Sequence, residues 1–207
     1  MGKQPLFVEI QELLPVHAPA VAEIHIESQP GTFLTSLGRE FLTALYAQIA
    51  SFSLGFGHVA LLDGRVVGFV AATEDTGQLF KEMALRRWIH LIWPLFKSLS
   101  RSPALLRHIF QTLHYPGLEK GGDSAELLSI GVRKVFRSRG IGGRLMEALL
   151  EECRARTIYA LDVTVDAANE GAIRFYRRHG FHHKRTFTLY GREMHSYGLS
   201  LGGFIEP

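Results

Sequence analysis

One short segment combines glycine and arginine in a way suited to binding a phosphate group. It separates an apolar, strand-like run, 126–132, from a series of strong helix formers, 144–150. Glycines let backbone N–H groups converge on an anion, and a helix N-terminus adds about half a positive charge. The arginines would add full charges. The segment predicts a pyrophosphate site formed mainly by the backbone amides of Ser138, Arg139, Gly140, Ile141, Gly142 and Gly143, with charge from the side chains of Arg137 and Arg139.

Two common nucleotide motifs are missing from this segment. It has no Gly-Lys-Ser/Thr sequence, which excludes a phosphate-binding loop that also holds magnesium. It also lacks the third glycine of G-x-G-x-x-G, the dinucleotide pattern. We therefore expect the predicted pyrophosphate to belong to a ligand other than those that these two motifs bind.

Two carboxylates lie in runs that are otherwise apolar. Glu126 begins the run before the glycine segment, and Asp162 lies in a second run, 159–165. A buried carboxylate is costly unless it is paired or functional, so each is a candidate general base or half of an ion pair. Strand alternation predicts that Glu126 shares a face with Val132, and Asp162 with Thr164.

These residues need a sheet and helices to position them. Alternating or β-branched runs predict further strands at 7–13, 58–62, 65–73, 181–190 and 193–201. Apolar spacing predicts helices at 18–28 and 33–50, separated by Pro30-Gly31. Asp63-Gly64 predicts a tight hairpin. This order favours an α/β fold with a mixed, twisted sheet and helices on both faces.

Two separate motifs give this chain a family resemblance. Val132, Arg137, Gly140 and Gly142 have the spacing V-x-x-x-x-(Q/R)-x-x-G-x-(G/A), and residues 169–181 match N-x-x-A-x-x-(F/L)-Y-x-x-x-G-F. Both resemble motifs of the GCN5-related N-acetyltransferases. The resemblance is close over 124–201 and loose over 6–75. It implies a sheet of about six to seven strands with a helical insertion between strands 3 and 4.

The resemblance also implies a co-substrate and its contacts. Acetyl-CoA would bind without a metal, with its pyrophosphate on the glycine segment and its pantetheine arm along the backbone of Ile130, Gly131 and Val132. Asn169 would cap the next helix and contact the cofactor. Tyr176 would contact the cofactor and act as the general acid, since a phenol with a pKa near 10 can donate a proton to a thiolate.

The general base stays open between two residues. Many family members have a glutamate five residues before the motif asparagine, but Thr164 stands there, and a hydroxyl is no base near neutral pH. Glu126 matches the position of the base in the histone-acetylating branch and is the favoured candidate. Asp162 is the alternative. Either carboxylate could instead be only an ion-pair partner.

Length and composition agree with one domain, 1–207, that includes an insertion at about 78–118. The chain has 207 residues, of which 46% are hydrophobic, and one cysteine, Cys153, for which we expect a place in the core. No cysteine-based metal site is expected. There is no apolar run of 18 residues, so we expect a cytoplasmic protein.

The insertion is both apolar and basic. It contains six basic residues and one acid, Glu82. Pro94 and Pro103 predict two or three short helices rather than one. Three interpretations stay open: a flap over the acceptor groove, a peripheral membrane contact through 79–113, or recognition of an acidic acceptor. Nucleic-acid binding is not expected, because bulky aliphatics dilute the charge.

Together these features predict an acetyl-CoA-dependent N-acetyltransferase acting on a primary amine by direct attack in a ternary complex. The favoured acceptor is a small molecule such as an amino-sugar nucleotide. A protein N-terminal or lysine acetyltransferase, and a non-catalytic acetyl-CoA sensor, are the alternatives. A homodimer stays open. No histidine is assigned a role, although His17, His25 or His58 could border the acceptor groove.

Overall fold

The computed structural model describes residues 7–86, 124–189 and 191–202. These residues form one seven-stranded sheet and six α-helices. The strands are β1 (Glu9–Glu12), β2 (Gly55–Leu62), β3 (Arg65–Thr73), β4 (Ser124–Val132), β5 (Ala160–Asp166), β6 (His182–Leu189) and β7 (Arg192–Ser200). The helices are α1 (Ala18–Ser28), α2 (Phe33–Ser36), α3 (Gly38–Ile49), α4 (Thr76–Arg86), α5 (Ile141–Ala155) and α6 (Glu170–Arg178). Short 3₁₀ turns lie at Pro15–His17 and Lys134–Phe136.

The sheet has the order β1-β2-β3-β4-β5-β7-β6 and is covered on both sides. On one side, the α5 face, Val70 and Leu127 pack with Leu145 of α5. On the other side, the α1 face, Phe69 packs with Ile24 of α1. Burial alternates along β5, which places its neighbouring residues on opposite faces, as the sequence predicted.

The two central strands separate partway along their length. β4 and β5 are parallel and pair from Ser124–Ala160 to Leu127–Val163. Beyond Leu127 and Val163, the described residues form no further pairs between these strands, although β4 continues to Val132. The separation leaves a gap beside the end of β4, directly before the glycine segment.

A β-bulge in β4 changes which residues share a face. Ala71 of β3 pairs with Ser129, but Ala72 pairs with Leu127, so Leu128 is an extra residue. Leu127 packs in the α5-face core and Leu128 in the α1-face core. The prediction that Glu126 shares a face with Val132 is therefore wrong. Glu126 lies on the α1 face, while Val132 packs against the α5-face core.

Two other predictions can be compared with the observed backbone. The hairpin over Asp63-Gly64 is confirmed, and both residues have positive φ, 50° and 73°. The single helix at 33–50 is wrong, because α2 ends at Ser36 and α3 begins at Gly38, which has φ 86°. A residue in the left-handed region cannot continue a right-handed helix. Only glycine adopts this conformation without strain, so Gly38 marks the break.

The predicted insertion falls mostly outside the described residues. Its first helix, α4, begins at Thr76, and the Asp75 side chain accepts a hydrogen bond from the backbone N–H of Gln78 at 2.8 Å. Residues 87–123 lie outside the described ranges, so the further short helices stay predictions. Within those ranges no helix is long and apolar enough to cross a membrane. The division into one domain with an insertion also stays a prediction.

Candidate active site

The glycine segment forms a backbone cradle at the start of α5. Ser138 has φ 60° and Gly140, the N-cap residue, has φ 81°. The first N–H groups of a helix have no acceptor within the helix and are available to a ligand. A Cβ atom added to Gly140 would meet no atom within 4 Å, so the space beside it is open among the described residues. This geometry suits an anion at the N-terminus of α5.

The two arginines of the segment have different surroundings. Arg137 donates a hydrogen bond from Nε to the Val132 carbonyl at 3.0 Å, which ties the loop to the end of β4. Nε of Arg139 is buried, and no described residue provides an acceptor for it. A buried donor without an acceptor is unfavourable, so an anionic ligand would satisfy Arg139.

Close packing against α6 explains the next two glycines. A Cβ atom on Gly142 would lie 3.3 Å from the Phe175 ring, and one on Gly143 would lie 3.7 Å from Nε2 of His179. His179 also donates from Nδ1 to the Phe175 carbonyl at 2.8 Å. No role was predicted for His179, which packs beside the cradle. Phe175 and His179 are four residues apart, a spacing that places two side chains on the same face of a helix, and this spacing could have indicated the contact.

The backbone of β4 faces the gap at alternate residues. Arg133 donates its N–H to Val67 of β3 at 2.9 Å. Because backbone groups alternate along a strand, Gly131 also faces β3, while Ile130 and Val132 face the gap. A pantetheine arm in the gap could pair with those two residues. A Cβ atom on Gly131 would lie 2.6 Å from Oγ of Ser28, so glycine here permits the close approach of α1.

A buried polar cluster joins α1 and α3 to the bulge of β4. His25 Nδ1 lies 2.6 Å from the Tyr46 hydroxyl, and Gln29 donates to Oγ of Ser129 at 2.7 Å. Burial lowers the pKa of His25 to about 4 and raises the pKa of Tyr46 well above its usual range. His25 is fully buried and therefore does not border an open groove. His58 lies on the opposite face, where it lines a pocket with Ile10 and residues of α5.

The candidate acid, Tyr176, is a buried residue of α6. Its ring packs edge-on against Phe175 and Phe181, with centroid distances of 5.6 Å to each. Only 6% of the residue is exposed, and burial raises the pKa of the phenol well above its usual range. The phenol is therefore protonated at neutral pH, as a proton donor must be. Tyr176 belongs to the core on the α5 face.

Asn169 forms the N-cap of α6, as predicted. Its side chain accepts a hydrogen bond from the Ala172 N–H at 3.1 Å, and the helix begins at the next residue. A cap of this kind typically contributes about 1 kcal/mol. The contact between Asn169 and the cofactor stays a prediction.

The favoured base, Glu126, lies on the α1 face. The Thr76 hydroxyl donates to its carboxylate at 2.5 Å, which links β4 to the first turn of α4. Glu126 pairs in register with Asp162 of β5, so the two carboxylates lie side by side on this face. Thr76 was not among the predicted residues, because no local pattern connects it with Glu126.

The alternative base, Asp162, is part of an ion pair. Nζ of Lys184, in β6, lies 2.8 Å from both carboxylate oxygens. The Asp162 side chain is 15% exposed. The Asp162 carboxylate is therefore already engaged with a cation.

These parts fit the expected co-substrate. The cradle and the buried Arg139 Nε suit a pyrophosphate, and the gap between β4 and β5 leads from the cradle toward Glu126. Tyr176 packs in the core on the α5 face, and Glu126 lies on the opposite, α1 face of the sheet. Among the described residues, no three His, Cys, Asp or Glu side chains gather as metal ligands. The fold and site define an acyl-CoA-dependent transferase.

The sequence profile of the Acetyltransferase (GNAT) family matches residues 18–181. The match covers most of the chain, and the chain therefore belongs to this family of N-acetyltransferases.

Two curated relatives match shorter segments. The [ribosomal protein bS18]-alanine N-acetyltransferase of Salmonella typhimurium (strain LT2) is 39% identical over 59 residues, 28% of this chain and 40% of its own length. N-alpha-acetyltransferase 60 of Xenopus tropicalis is 32% identical over 97 residues, 40% of this chain and 38% of its own length. The chain thus spans about two-fifths of each relative.

A solved structure is similar over nearly the whole chain. The crystal structure of Arabidopsis thaliana NAA60 in complex with acetyl-CoA has a TM-score of 0.61 and 16% sequence identity, and the alignment covers 95% of this chain and 100% of that one. This likeness confirms the predicted fold. That neighbour binds acetyl-CoA, the co-substrate predicted for this chain.

Proposed function

We propose that this enzyme transfers an acetyl group from acetyl-CoA to the α-amino group of a polypeptide. The observation that carries the transfer is the β4–β5 gap, which runs from the backbone cradle at Gly140 to the pair of carboxylates at Glu126 and Asp162. The polypeptide acceptor is supported by the two relatives, whose names specify a protein N-alpha-acetyltransferase and a ribosomal-protein alanine acetyltransferase.

On the cofactor side, this chain's residues would bind and orient acetyl-CoA. The amides from Ser138 to Gly143, with Arg137 and Arg139, would hold the pyrophosphate. The gap-facing backbone of Ile130 and Val132 would hold the pantetheine arm as a neighbouring strand would. Bound acetyl-CoA would supply a thioester at the inner end of the gap.

On the acceptor side, side chains move protons. Glu126 would take a proton from the incoming ammonium, directly or through one water, so that a neutral amine can attack. Tyr176, protonated and on the opposite face, would donate a proton to the departing sulfur. The Thr76 hydroxyl donates to Glu126 and so holds the carboxylate in place.

An amino-sugar nucleotide is the second candidate acceptor. The basic residues of the insertion favour it, since guanidinium groups bind phosphates well. The carboxylates on the α1 face favour a cationic acceptor instead. A non-catalytic sensor would have no need of Tyr176.

The test is CoA release from acetyl-CoA with a matched acceptor panel. The panel contains peptides with a free N-terminus and arginine in place of lysine, the same peptides with a blocked N-terminus and one internal lysine, and amino-sugar nucleotides. Turnover of the free N-terminal peptides alone would support the proposal. Turnover confined to blocked, lysine-containing peptides or to amino-sugar nucleotides would reject the α-amine acceptor. Acetyl-CoA binding without any turnover would favour the sensor.

A further inference from the structure

A lysine ammonium lies beside the two carboxylates of the site. Lys184, in the edge strand β6, reaches across β7 to place Nζ 2.8 Å from both oxygens of Asp162. β7 has Gly198 at this point, and a Cβ atom there would lie 2.6 Å from Cδ of Lys184 and 2.8 Å from Oδ1 of Asp162. The missing side chain at Gly198 thus opens the path that Lys184 takes over the sheet.

This ammonium is close to the point where the central strands separate. Asp162 pairs with Glu126, and the next pair, Leu127–Val163, is the last between β4 and β5 in the described residues. One residue along a strand covers about 3.3 Å. The Lys184 ammonium therefore lies next to the candidate base and about one residue from the inner end of the gap.

Lys184 has the chemical features of an acetyl acceptor. It is a primary amine, its side chain is 44% exposed, and a carboxylate in contact with it can take a proton. The other described lysines lie elsewhere: Lys81 is on α4, and Lys134 is in the 3₁₀ turn after β4. Both are exposed, so they report the background rate of uncatalysed acetylation.

We infer that Lys184 is an intramolecular acetyl acceptor, so that the enzyme modifies its own β6 strand. The inference rests on the acetyl transfer proposed above and is independent of which external amine is used. Acetylation would neutralise Lys184 and remove its ammonium from Asp162. The charge on the acceptor side of the site would then change by one unit, and self-modification would alter how a cationic acceptor binds.

The step balances with the groups present. Asp162 or Glu126 takes one proton from the Lys184 ammonium. The nitrogen lone pair forms a bond to the acetyl carbonyl carbon, the carbon–sulfur bond breaks, and the departing sulfur takes a proton from Tyr176. The nitrogen loses its second proton as the amide forms, and this proton restores the phenol. The products are Nε-acetylated Lys184, CoA and one proton released from the carboxylate.

The experiment uses the full chain and acetyl-CoA with a deuterated acetyl group, so that only new modification is counted. Peptide mapping by mass spectrometry follows labelling of Lys184, Lys81 and Lys134 at several protein concentrations. We expect Lys184 to be labelled at least about tenfold faster than the other two, since an acceptor held in the site has a high effective concentration. The rate constant should not depend on protein concentration. Replacing both carboxylates, Glu126→Gln together with Asp162→Asn, should slow labelling at Lys184 alone.

Several results would overturn the inference. Lys184 could stay unlabelled, be labelled no faster than Lys81 and Lys134, or be labelled at a rate proportional to protein concentration, as expected for transfer between molecules. CoA release with the acceptor panel, measured on the same preparation, separates this inference from the proposed function. Acceptor turnover with unlabelled Lys184 would remove the inference and leave the function standing; loss of both would reject both.

Discussion

The cofactor side and the acceptor side of the site are assembled in different ways. The cofactor side is one continuous segment, the end of β4 and the turn into α5, and it presents mainly backbone groups. The acceptor side brings together side chains from four separate elements: Thr76 of α4, Glu126 of β4, Asp162 of β5 and Lys184 of β6. The first side depends on local backbone conformation. The second depends on sheet register and long-range packing.

This difference determines which substitutions each side of the site tolerates. A side chain on the cofactor side can be replaced if the backbone keeps its path, because the amides do the binding. On the acceptor side, replacing one functional group removes a proton donor or acceptor, and the backbone cannot compensate. The predictions below compare the two sides.

Removing the phenol of Tyr176 should have the largest effect. We expect Tyr176→Phe to lower kcat by about 10²- to 10⁴-fold, the usual contribution of a general acid, and to leave the acetyl-CoA Kd unchanged. Steady-state kinetics and calorimetry measure the two quantities. Tyr159→Phe is the matched control, since Tyr159 is 51% exposed and lies outside the site. Equal kcat in the two variants would remove Tyr176 from the mechanism.

The buried polar cluster that contains His25 and Tyr46 should make the stability of the fold depend on pH. Burial lowers the pKa of His25 to about 4, from an ordinary value near 6.5. The unfolded chain therefore takes up a proton at a higher pH than the folded chain does. The stability that neutral His25 contributes is complete above about pH 6.5 and is lost progressively as the pH falls toward 4. The loss is on the order of 3 kcal/mol.

Urea unfolding at several pH values between 7.5 and 4 measures this loss. His25→Gln should flatten the pH dependence of the unfolding free energy, whereas His183→Gln, at an exposed position, should retain it. A similar slope in parent and His25→Gln would mean that His25 titrates normally. The cluster would then not shield it from water.

The two carboxylates should differ when each is neutralised. Glu126→Gln should lower kcat by about 10²-fold at neutral pH, because the amine loses its base. Asp162→Asn should lower kcat less, because Asp162 is engaged with Lys184, and should mainly change KM for the acceptor. The pH profile of kcat/KM distinguishes the two variants, because only loss of the base removes the fall in kcat/KM at acidic pH. A larger effect on kcat from Asp162→Asn would reverse the assignment.

The cofactor side could be predicted from the sequence because its signals are local. The spacing from Val132 to Gly142, and from Asn169 to Phe181, lies within single elements and turns. The acceptor side was predicted only as isolated residues. The bulge at Leu128 turned Glu126 to the opposite face from Val132, and strict alternation cannot anticipate an extra residue. The Thr76–Glu126 and Lys184–Asp162 contacts join residues far apart in sequence, so no spacing rule reveals them.

A small change of backbone on the cofactor side should weaken binding without altering chemistry. Gly140 has φ 81° at the start of α5, and an alanine there costs about 1–2 kcal/mol if the conformation is kept. Relaxing that strain would turn the amides away from the anion, so we expect Gly140→Ala to raise the acetyl-CoA Kd by about tenfold. Gly64→Ala is the matched control, because Gly64 also has positive φ and open space around it but lies in the β2–β3 turn. That variant should lose stability and keep its Kd. Equal Kd values in both variants would mean that the amides of this turn are not the main anion ligands, and that Arg137 and Arg139 hold the pyrophosphate by charge.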